Sequence, residues 1–244
     1  MSDAFFQNLV LVLLRKARKL GLMMKMGLIL LFVGWTAWLS AEEEAVAWTS
    51  LFDGETLAGW TKADGKEVAE GRWLAEKGVL TRQSLLAGDL YSAKEYGDFE
   101  FAFEWRISEG GNSGVKYRVA RFGKALLGLE YQLLDDDKHP DGKNGGNRQT
   151  AALYDLKPAR ADKPLKPVGE WNQSRIMVKE GVVRHFLNGE EVMTLEIPSA
   201  EWKERFQKSK YAKNAGFGVN AKGRLMLQDH GDRVSFRKLQ IREF

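Results

Sequence analysis

Short segments of alternating apolar and polar residues follow one another along most of the chain from Ala47 onward. In residues 98–107 aromatic side chains alternate with polar or small ones, and residues 114–119 and 128–134 repeat the alternation with aliphatic residues and tyrosine. A period of two places alternate side chains on opposite faces of a strand. The pattern therefore predicts strands that each bury one face and leave the other polar.

Further strands are predicted toward the carboxyl end of the chain. Residues 175–183 and 184–194 have strand character, and the second range contains Asn188-Gly189, a dipeptide that favours a two-residue hairpin turn. Residues 224–228 and 233–242 are expected to form a closing pair of strands.

One segment, residues 199–210, predicts a helix rather than a strand. Ser199 suits the N-cap, and Trp202 and Phe206 lie four positions apart on one helical face. About ten or more short strands that do not alternate with helices favour an all-β sandwich of two antiparallel sheets with a short helical insert. No repeat or linker divides it, so we expect one domain from about residue 45 to 244.

Residues 1–41 have a different composition from the rest of the chain. A basic stretch at residues 15–19 precedes an apolar run at residues 26–39 and then Ser40-Ala41. This layout is typical of a secretory signal peptide, and an uncleaved N-terminal anchor is the alternative. We therefore expect a periplasmic or secreted protein that contacts a membrane only through this segment if it is retained.

The charge balance changes once that segment is set apart. The 244 residues contain 37 Lys and Arg against 33 Asp and Glu, a net charge of +4, but 32 residues of each sign remain after residue 41. Because phosphate binding requires a surplus of clustered basic residues, nucleic acid is not an expected partner. The chain has no Cys, which excludes disulfides, thiolate metal sites and cysteine nucleophiles.

Polar side chains concentrate on one face of the predicted strands. Glu104, Lys116, Glu130 and Gln132 all point away from the apolar face of their own strands. If these strands are neighbours, the four side chains line one concave surface, on which paired carboxylates are typical of a glycosidase acid and base. An ordinary solvated sheet face gives the same pattern.

A long polar loop, residues 135–155, is rich in Asp, Gly and Asn. Loops of this length inside a domain are usually functional or disordered. Asp135, Asp137 and Asp141 are hard oxygen donors suited to Ca²⁺, but their spacing lacks the order of an EF-hand, and a solvated acidic turn is the alternative. A divalent metal therefore remains open, and no cofactor is specified.

The imidazoles of the chain are few. His230 follows Asp229 at the end of a predicted strand, an arrangement that suits a general base held in one tautomer, although such a His is more often structural. His139 in the polar loop and His185 in a hairpin strand are the others. The three could also gather at one metal, but no metal-binding helix motif supports this.

Several motifs occur together in an order that resembles the 3-keto-disaccharide hydrolase family. They are Leu51-Phe52-Asp53-Gly54, Gly59-Trp60, Tyr96-Gly97-Asp98-Phe99, Glu104-Trp105-Arg106, Gly111-Asn112-Ser113-Gly114-Val115, Gly128-Leu129-Glu130-Tyr131-Gln132 and Gln228-Asp229-His230-Gly231. The resemblance extends from about Thr49 to Phe244. It implies a concanavalin A-like jelly-roll sandwich that is exported and acts on small carbohydrates whose sugar is oxidised at C3.

A mechanism consistent with that substrate uses the acidity of the hydrogen at C2, next to the ketone. A base removes this proton, the C1 substituent leaves by elimination, and water then adds. We expect His230 as the base, Lys116 or Arg148 as the group that stabilises the enolate, and Glu130 or Glu104 as the acid. The expected substrate-binding residues are Gln132, Arg148, Asp229, His139 and Asn112.

Two other functions fit the same scaffold. A non-catalytic carbohydrate-binding module would need the concave face but no base. A conventional two-carboxylate glycosidase would hydrolyse unoxidised glycosides, but the chain lacks a compact ExDxE strand motif. A structural or interaction protein is the weakest alternative, because no repeat or coiled coil is present.

Overall fold

Thirteen β-strands and one α-helix form the described part of the chain, which covers residues 46–83 and 87–244 of the computed structural model. The predicted export segment, residues 1–41, lies outside the described residues. In the described ranges no helix is long and apolar enough to cross a membrane. The strands are β1 (Thr49–Ser50), β2 (Trp60–Thr61), β3 (Trp73–Glu76), β4 (Val79–Arg82), β5 (Leu90–Tyr96), β6 (Phe99–Ile107), β7 (Asn112–Phe122), β8 (Ala125–Leu134), β9 (Asn172–Lys179), β10 (Val182–Leu187), β11 (Glu190–Glu196), β12 (Gly223–Leu227) and β13 (Val234–Glu243).

The strands form two antiparallel sheets. The eight-stranded sheet has the order β11-β10-β9-β6-β13-β4-β3, with β1 paired to β13, and the five-stranded sheet has the order β2-β5-β12-β7-β8. The helix α1 (Ala200–Lys208) and two short 3-10 helices, Pro140–Asn144 and Gly146–Arg148, lie in the connections. The predicted all-β sandwich of two antiparallel sheets with one short helix is confirmed.

The core lies between the two sheets and is built from the apolar faces of the alternating strands. From β6, the aromatic side chains of Phe99, Phe101, Phe103 and Trp105 are almost fully buried. The ring of Phe103 meets that of Tyr131 on β8, with 5.7 Å between centroids. Burying a large apolar side chain contributes roughly 1.5–3 kcal/mol, so these faces fix the sandwich and direct the polar residues outward.

Two details of the strand prediction were wrong. Residues 175–183 do not form one strand, because a turn at Glu180-Gly181, where both residues have positive φ, separates β9 from β10. The two C-terminal strands do not pair with each other: β12 pairs with β5 and β7, whereas β13 pairs with β6 and β4 in the other sheet. Alternation shows which face of a strand is buried but not which strand lies beside it.

The predicted hairpin turn and the predicted helix are both present. Asn188 and Gly189 both have positive φ between β10 and β11. Ser199 Oγ caps α1 by accepting a hydrogen bond from the Trp202 amide at 3.0 Å. After the helix, the amide of Lys210 donates to Asp155 Oδ2 at 2.7 Å, which ties this end of α1 to the polar loop.

The end of the polar loop runs along the free edge of β8. The Ala151 amide donates to the Gln132 carbonyl at 2.9 Å, and the Tyr154 amide donates to the Glu130 carbonyl at 3.0 Å. An exposed strand edge would otherwise carry unpaired backbone groups. The loop therefore covers the edge strand and holds Tyr154 beside Glu130.

Candidate active site

A carboxylate and a lysine form the centre of a polar cluster on the outer face of the five-stranded sheet. Lys116 on β7 is directly opposite Glu130 on β8, and its Nζ lies 3.5 Å from Glu130 Oε2. Glu130 is only 3% exposed although it lies on the outer face. Its other oxygen, Oε1, accepts no hydrogen bond from the described residues and is free to contact a ligand.

A missing side chain opens space in front of this carboxylate. A Cβ atom on Gly114 would lie 2.7 Å from Glu130 Oε1 and 3.3 Å from Gln228 Oε1. Gly114 pairs with Gln132 across the strands, and its carbonyl accepts a hydrogen bond from the backbone amide of Gln228 at 2.9 Å. Only glycine leaves room for both oxygens at this position, so the gap is a specific feature of the site.

The cavity at this gap has a volume of about 60 Å³. It brings together four residues that the sequence predicts for the site, and it adds three that sequence reasoning missed. The predicted ones are Asn112, Glu130, Gln132 and His230, and the added ones are Tyr154, Lys210 and Gln228. Ligand pockets usually enclose about 300–1000 Å³, so this cavity would take only the edge of a sugar ring while the rest extends into solvent.

Lys210 supplies a second positive charge. Its Nζ lies 4.1 Å from the ring centroid of Tyr154 and 5.0 Å from that of Tyr211. Although the residue as a whole is exposed, desolvation around its ammonium group lowers its pKa, while the charge of Glu130 acts in the opposite direction. Within the described residues Lys210 Nζ has no carboxylate partner, so this cation is available to a ligand.

Two imidazoles meet at the rim. The rings of His139 and His230 are 6.3 Å apart, edge to face. His139 Nδ1 accepts a hydrogen bond from the Asp141 amide at 3.1 Å, so in the neutral ring the proton is on Nε2. His139 adjoins the site through His230 but does not line the cavity. The His230 imidazole is exposed and makes no hydrogen bond to the described residues.

The structure does not place Glu104 with the other predicted site residues. Glu104 lies on β6 in the eight-stranded sheet, where its carboxylate accepts hydrogen bonds from Arg237 at 2.6 Å and Lys238 at 2.7 Å. The expectation that it shares a concave surface with Glu130 was wrong, because the alternating pattern does not distinguish the outer faces of two different sheets.

Asp229 does not orient the neighbouring imidazole, contrary to the prediction. Its carboxylate forms an ion pair with the buried guanidinium of Arg82 and accepts a hydrogen bond from the Gly88 amide at 2.7 Å. It also accepts from the Gly231 amide at 3.0 Å. Asp229 therefore anchors the loop before β5, and His230 owes its position to the turn that follows.

Arg148 is also held by protein groups instead of facing the cavity. Its guanidinium lies 2.9 Å from both Asp141 Oδ1 and Asp155 Oδ1 and stacks on Tyr154 at 5.6 Å. Burial opposes ionisation of Asp141, but hydrogen bonds from Tyr154 and Arg148 outweigh it and lower the Asp141 pKa. Arg148 thus braces the loop that carries Tyr154.

The acidic residues of the polar loop do not converge as metal ligands. Asp135 accepts hydrogen bonds from the amides of Gly110, Asp137 and Lys138. Across residues 46–83 and 87–244, no three His, Asp or Glu side chains are close enough together to hold one ion. The Ca²⁺ site considered for Asp135, Asp137 and Asp141 as an alternative to an acidic turn therefore finds no support in the described residues.

A larger cleft of about 580 Å³ lies at the end of β8 and beside residues 165–170. Asp136 and Lys163 in its wall form an ion pair at 2.9 Å, so they neutralise each other. Because the smaller cavity combines a free carboxylate oxygen, an unpaired ammonium group and an imidazole, we place the candidate active site there and not in the larger cleft.

These features define a class of protein: a jelly-roll sandwich with a candidate acid–base site on the outer face of one sheet. A family model described as a 3-keto-alpha-glucoside-1,2-lyase-like domain matches residues 47–242, and the chain belongs to this family. A 3-keto-disaccharide hydrolase of Bacteroides thetaiotaomicron is 35% identical over 232 residues, which cover 82% of this chain and 79% of the relative.

Two solved structures from Parabacteroides distasonis have the same fold. One, named as a candidate glycosyl hydrolase, has a TM-score of 0.73 at 33% identity and covers 84% of this chain and 98% of its own. A second of the same description has a TM-score of 0.62 at 24% identity and covers 81% and 100%. With the family match, these similarities identify the chain as a carbohydrate-active, glycoside hydrolase-like enzyme.

Proposed function

We propose that this enzyme cleaves the glycosidic bond of 3-keto-glycosides by removing the proton at C2, eliminating the C1 substituent and admitting water to the product. One observation carries the proposal: Glu130, Lys210 and His230 line the same cavity. They are a free carboxylate oxygen, an unpaired cation and a titratable ring, the three kinds of group that the elimination requires.

The names of related proteins support the choice of substrate and reaction. The family description specifies an alpha-glucoside with a ketone at C3 and a lyase that acts between C1 and C2. The Bacteroides relative is named a hydrolase of 3-keto-disaccharides. Elimination followed by hydration reconciles the two names, because the sum of the two steps is hydrolysis.

Glu130 is suited to be the base. Lys116 holds one oxygen of its carboxylate in an ion pair, and the other oxygen faces the gap at Gly114. An ionised carboxylate can only accept a proton. The C2–H electron pair moves into an enolate as the proton passes to Glu130 Oε1.

Lys210 is suited to stabilise the enolate at the C3 oxygen. Its ammonium group forms no ion pair with the described residues, although Glu130 and Asp155 act on it from a greater distance, whereas Lys116 is paired with Glu130 and Arg148 with two aspartates. A positive charge in partly desolvated surroundings stabilises developing negative charge more strongly than one in bulk water.

His230 is suited to protonate the leaving oxygen. It lies at the exposed rim, open to solvent on the side where an aglycone would leave. When the C1–O bond breaks, the enolate electrons form the C1=C2 double bond, the C3 ketone is restored, and His230 gives its proton to the departing oxygen. This assignment reverses the roles that the sequence suggested for His230 and Glu130, because the ion-paired carboxylate is the better acceptor.

The test is incubation of methyl 3-keto-α-glucoside in D₂O, followed by NMR of substrate and product. We expect deuterium at C2 of the product. Glu130→Gln should abolish both this exchange and turnover, whereas Glu104→Gln is a matched control on the other sheet and should retain both. Normal turnover with unexchanged C2 hydrogen would refute elimination and favour direct displacement.

Two further arms separate the alternatives. Binding of intact glycosides without any turnover would identify a carbohydrate-binding module instead of an enzyme. Loss of turnover with a chelator, restored by a divalent ion, would replace Lys210 by a metal as the group that polarises the ketone.

We also propose that the protein is exported, on the strength of residues 1–41 alone. The basic stretch at residues 15–19, the apolar run at residues 26–39 and Ser40-Ala41 support a signal peptide. Fractionation of producing cells and mass spectrometry of the N-terminus test this. A protein in the soluble cytoplasmic fraction with residues 1–41 intact would refute it, and a membrane-bound intact chain would indicate the anchor.

A further inference from the structure

Two glutamine oxygens in the cavity lack any protein partner. Gln132 is 1% exposed, and its Nε2 makes a long contact of 3.4 Å with Asn112 Oδ1, whereas its Oε1 is buried with no hydrogen bond. Gln228 Oε1 is likewise buried without a partner. Buried acceptors of this kind are rare in native proteins and require an explanation.

The two glutamines form a row with the glycine gap between them. Gln132 on β8 is in register with Gly114 on β7. On the other side of Gly114, the backbone amide of Gln228 donates to the Gly114 carbonyl at 2.9 Å. Because neighbouring strands lie about 4.8 Å apart, the two amide side chains stand on either side of the position above Gly114, which Glu130 Oε1 enters. We call this row, formed by Gln132, Gly114 and Gln228, the amide slot.

The backbone on both sides of the amide slot is fixed. Ser113 Oγ donates to the Gln228 carbonyl at 2.9 Å, and the Gln132 amide and carbonyl bond to Ala152 and Ala151. The backbone positions from which both glutamine side chains extend are therefore fixed, which reduces the entropy cost of binding. Such a site favours a ligand that brings hydrogen-bond donors to it.

The charges around the amide slot argue against a cation as that ligand. Glu130 is the one carboxylate that lines the cavity in the described part of the chain, and Lys116 and Lys210 add two positive charges beside it. A divalent ion would be repelled by both lysines. Neutral hydroxyl groups satisfy the acceptors without this cost.

We propose that Gln132 and Gln228 recognise hydroxyl groups on the ring that carries the ketone, and so determine which sugar the enzyme accepts. The inference rests on the proposed function, because it places the ketone oxygen at Lys210. A ketone has no hydrogen to donate, so the oxidised carbon cannot be the group that the glutamines bind. Of the hydroxyls left on the ring, those at C4 and C6 lie outside the reacting C1–C2–C3 segment, and we assign the glutamines to these two.

The test is a cycle between enzyme variants and substrate analogues. Methyl 3-keto-α-glucoside and its 4-deoxy and 6-deoxy forms are titrated by calorimetry into the Glu130→Gln background, which is expected to bind without turnover. Removing a hydroxyl that the slot binds should weaken binding about tenfold, a change of about 1.4 kcal/mol. Gln228→Ala should weaken the parent ligand similarly and show no further loss with the matching deoxy analogue.

Controls keep the result independent of folding. Gln173→Ala removes an exposed glutamine from the eight-stranded sheet and should leave every affinity unchanged. Gln132→Ala should behave like Gln228→Ala, and Gln132→Leu, which keeps the volume of the buried side chain, replaces it if Gln132→Ala is unstable. The proposal would be overturned if the deoxy analogues bind as well as the parent ligand. It would also be overturned if the affinity lost by removing a hydroxyl is the same in every variant as in the parent enzyme.

The outcome distinguishes the slot from the proposed chemistry. Repeating the cycle with unoxidised methyl α-glucoside and its deoxy forms tests hydroxyl recognition when no 3-keto compound is turned over. If the affinity losses from removing a glutamine and removing a hydroxyl are non-additive but no 3-keto compound is turned over, the amide slot is supported and the proposed reaction is refuted. If 3-keto compounds are turned over but the two losses are additive, the reaction is supported and the amide slot is refuted. Calcium binding that requires Gln132 and Gln228 would overturn the slot in favour of a metal site.

Discussion

The buried imidazole of His185 makes a quantitative prediction about stability and pH. His185 is fully buried between the sheets, its Nδ1 donates to the Ala151 carbonyl at 2.9 Å, and its Nε2 accepts from the Tyr117 hydroxyl at 2.9 Å. A carbonyl can only accept, so in the neutral ring the proton is on Nδ1. Burial lowers its pKa from 6.5 to about 3.

The direction of the effect follows from proton binding. Below pH 6.5 the unfolded chain binds a proton at His185, whereas the folded chain does so only near pH 3. Stability from this residue is therefore complete above pH 6.5 and falls as the pH decreases toward 3. At pH 4.5, two units below the unfolded value, the loss is about 3 kcal/mol at about 1.4 kcal/mol per unit.

The assay is urea unfolding of wild type and His185→Gln at pH 7.5 and pH 4.5, followed by tryptophan fluorescence. Glutamine can still bond to Ala151 and Tyr117 but does not titrate. We expect the variant to lose about 3 kcal/mol less than wild type between the two pH values, because the carboxylates contribute equally to both. His230→Gln removes an exposed imidazole and should keep the wild-type dependence. Equal losses in wild type and His185→Gln would refute the reasoning.

Three further substitutions test the site and its surroundings. Gly114→Ala should displace the Glu130 carboxylate and lower turnover on the order of 10²-fold while leaving the melting temperature nearly unchanged; wild-type turnover would contradict the glycine gap. Asp229→Asn should cost about 3 kcal/mol in urea unfolding because buried Arg82 loses its counter-ion, and an unchanged midpoint would remove that role. Glu104→Gln should change stability by less than about 1 kcal/mol, since its partners are partly exposed, and a larger loss would show a stronger network.

The strands and the central ion pair could be predicted because their signals are local. Alternation in β7 and β8 places Lys116 and Glu130 on polar faces, and the hairpin between these strands brings them into register. The same alternation in β6 made Glu104 look equivalent. Its separation from them depends on which sheet takes β6, and that is decided by long-range packing of the aromatic faces.

The remaining site residues are set by contacts distant in sequence. Asp229 pairs with Arg82, 147 positions away in the sequence. The adjacent position of His230 therefore did not show what the Asp229 carboxylate binds. Lys210 looked like the last residue of a helix, but it follows the helix, and a hydrogen bond from its backbone amide to Asp155 holds it beside the cavity. Gln228 lies inside a motif that the sequence singled out, but the adjacent His and Asp carried the more familiar chemistry.

The two outer faces of the sandwich show what separates a site from an ordinary charged surface. On the eight-stranded sheet, buried Glu100 is held by Arg175 and Arg242, so its charge is fully compensated within the protein. At the cavity on the five-stranded sheet, Glu130 Oε1 and Lys210 Nζ keep hydrogen-bonding capacity that no described residue uses. The two buried glutamine oxygens beside them also have no partner. Both faces carry ion pairs. A polar group that the fold buries and leaves unpaired is stabilised when a ligand pairs with it. This difference in hydrogen bonding, not the amount of charge, marks the candidate functional face.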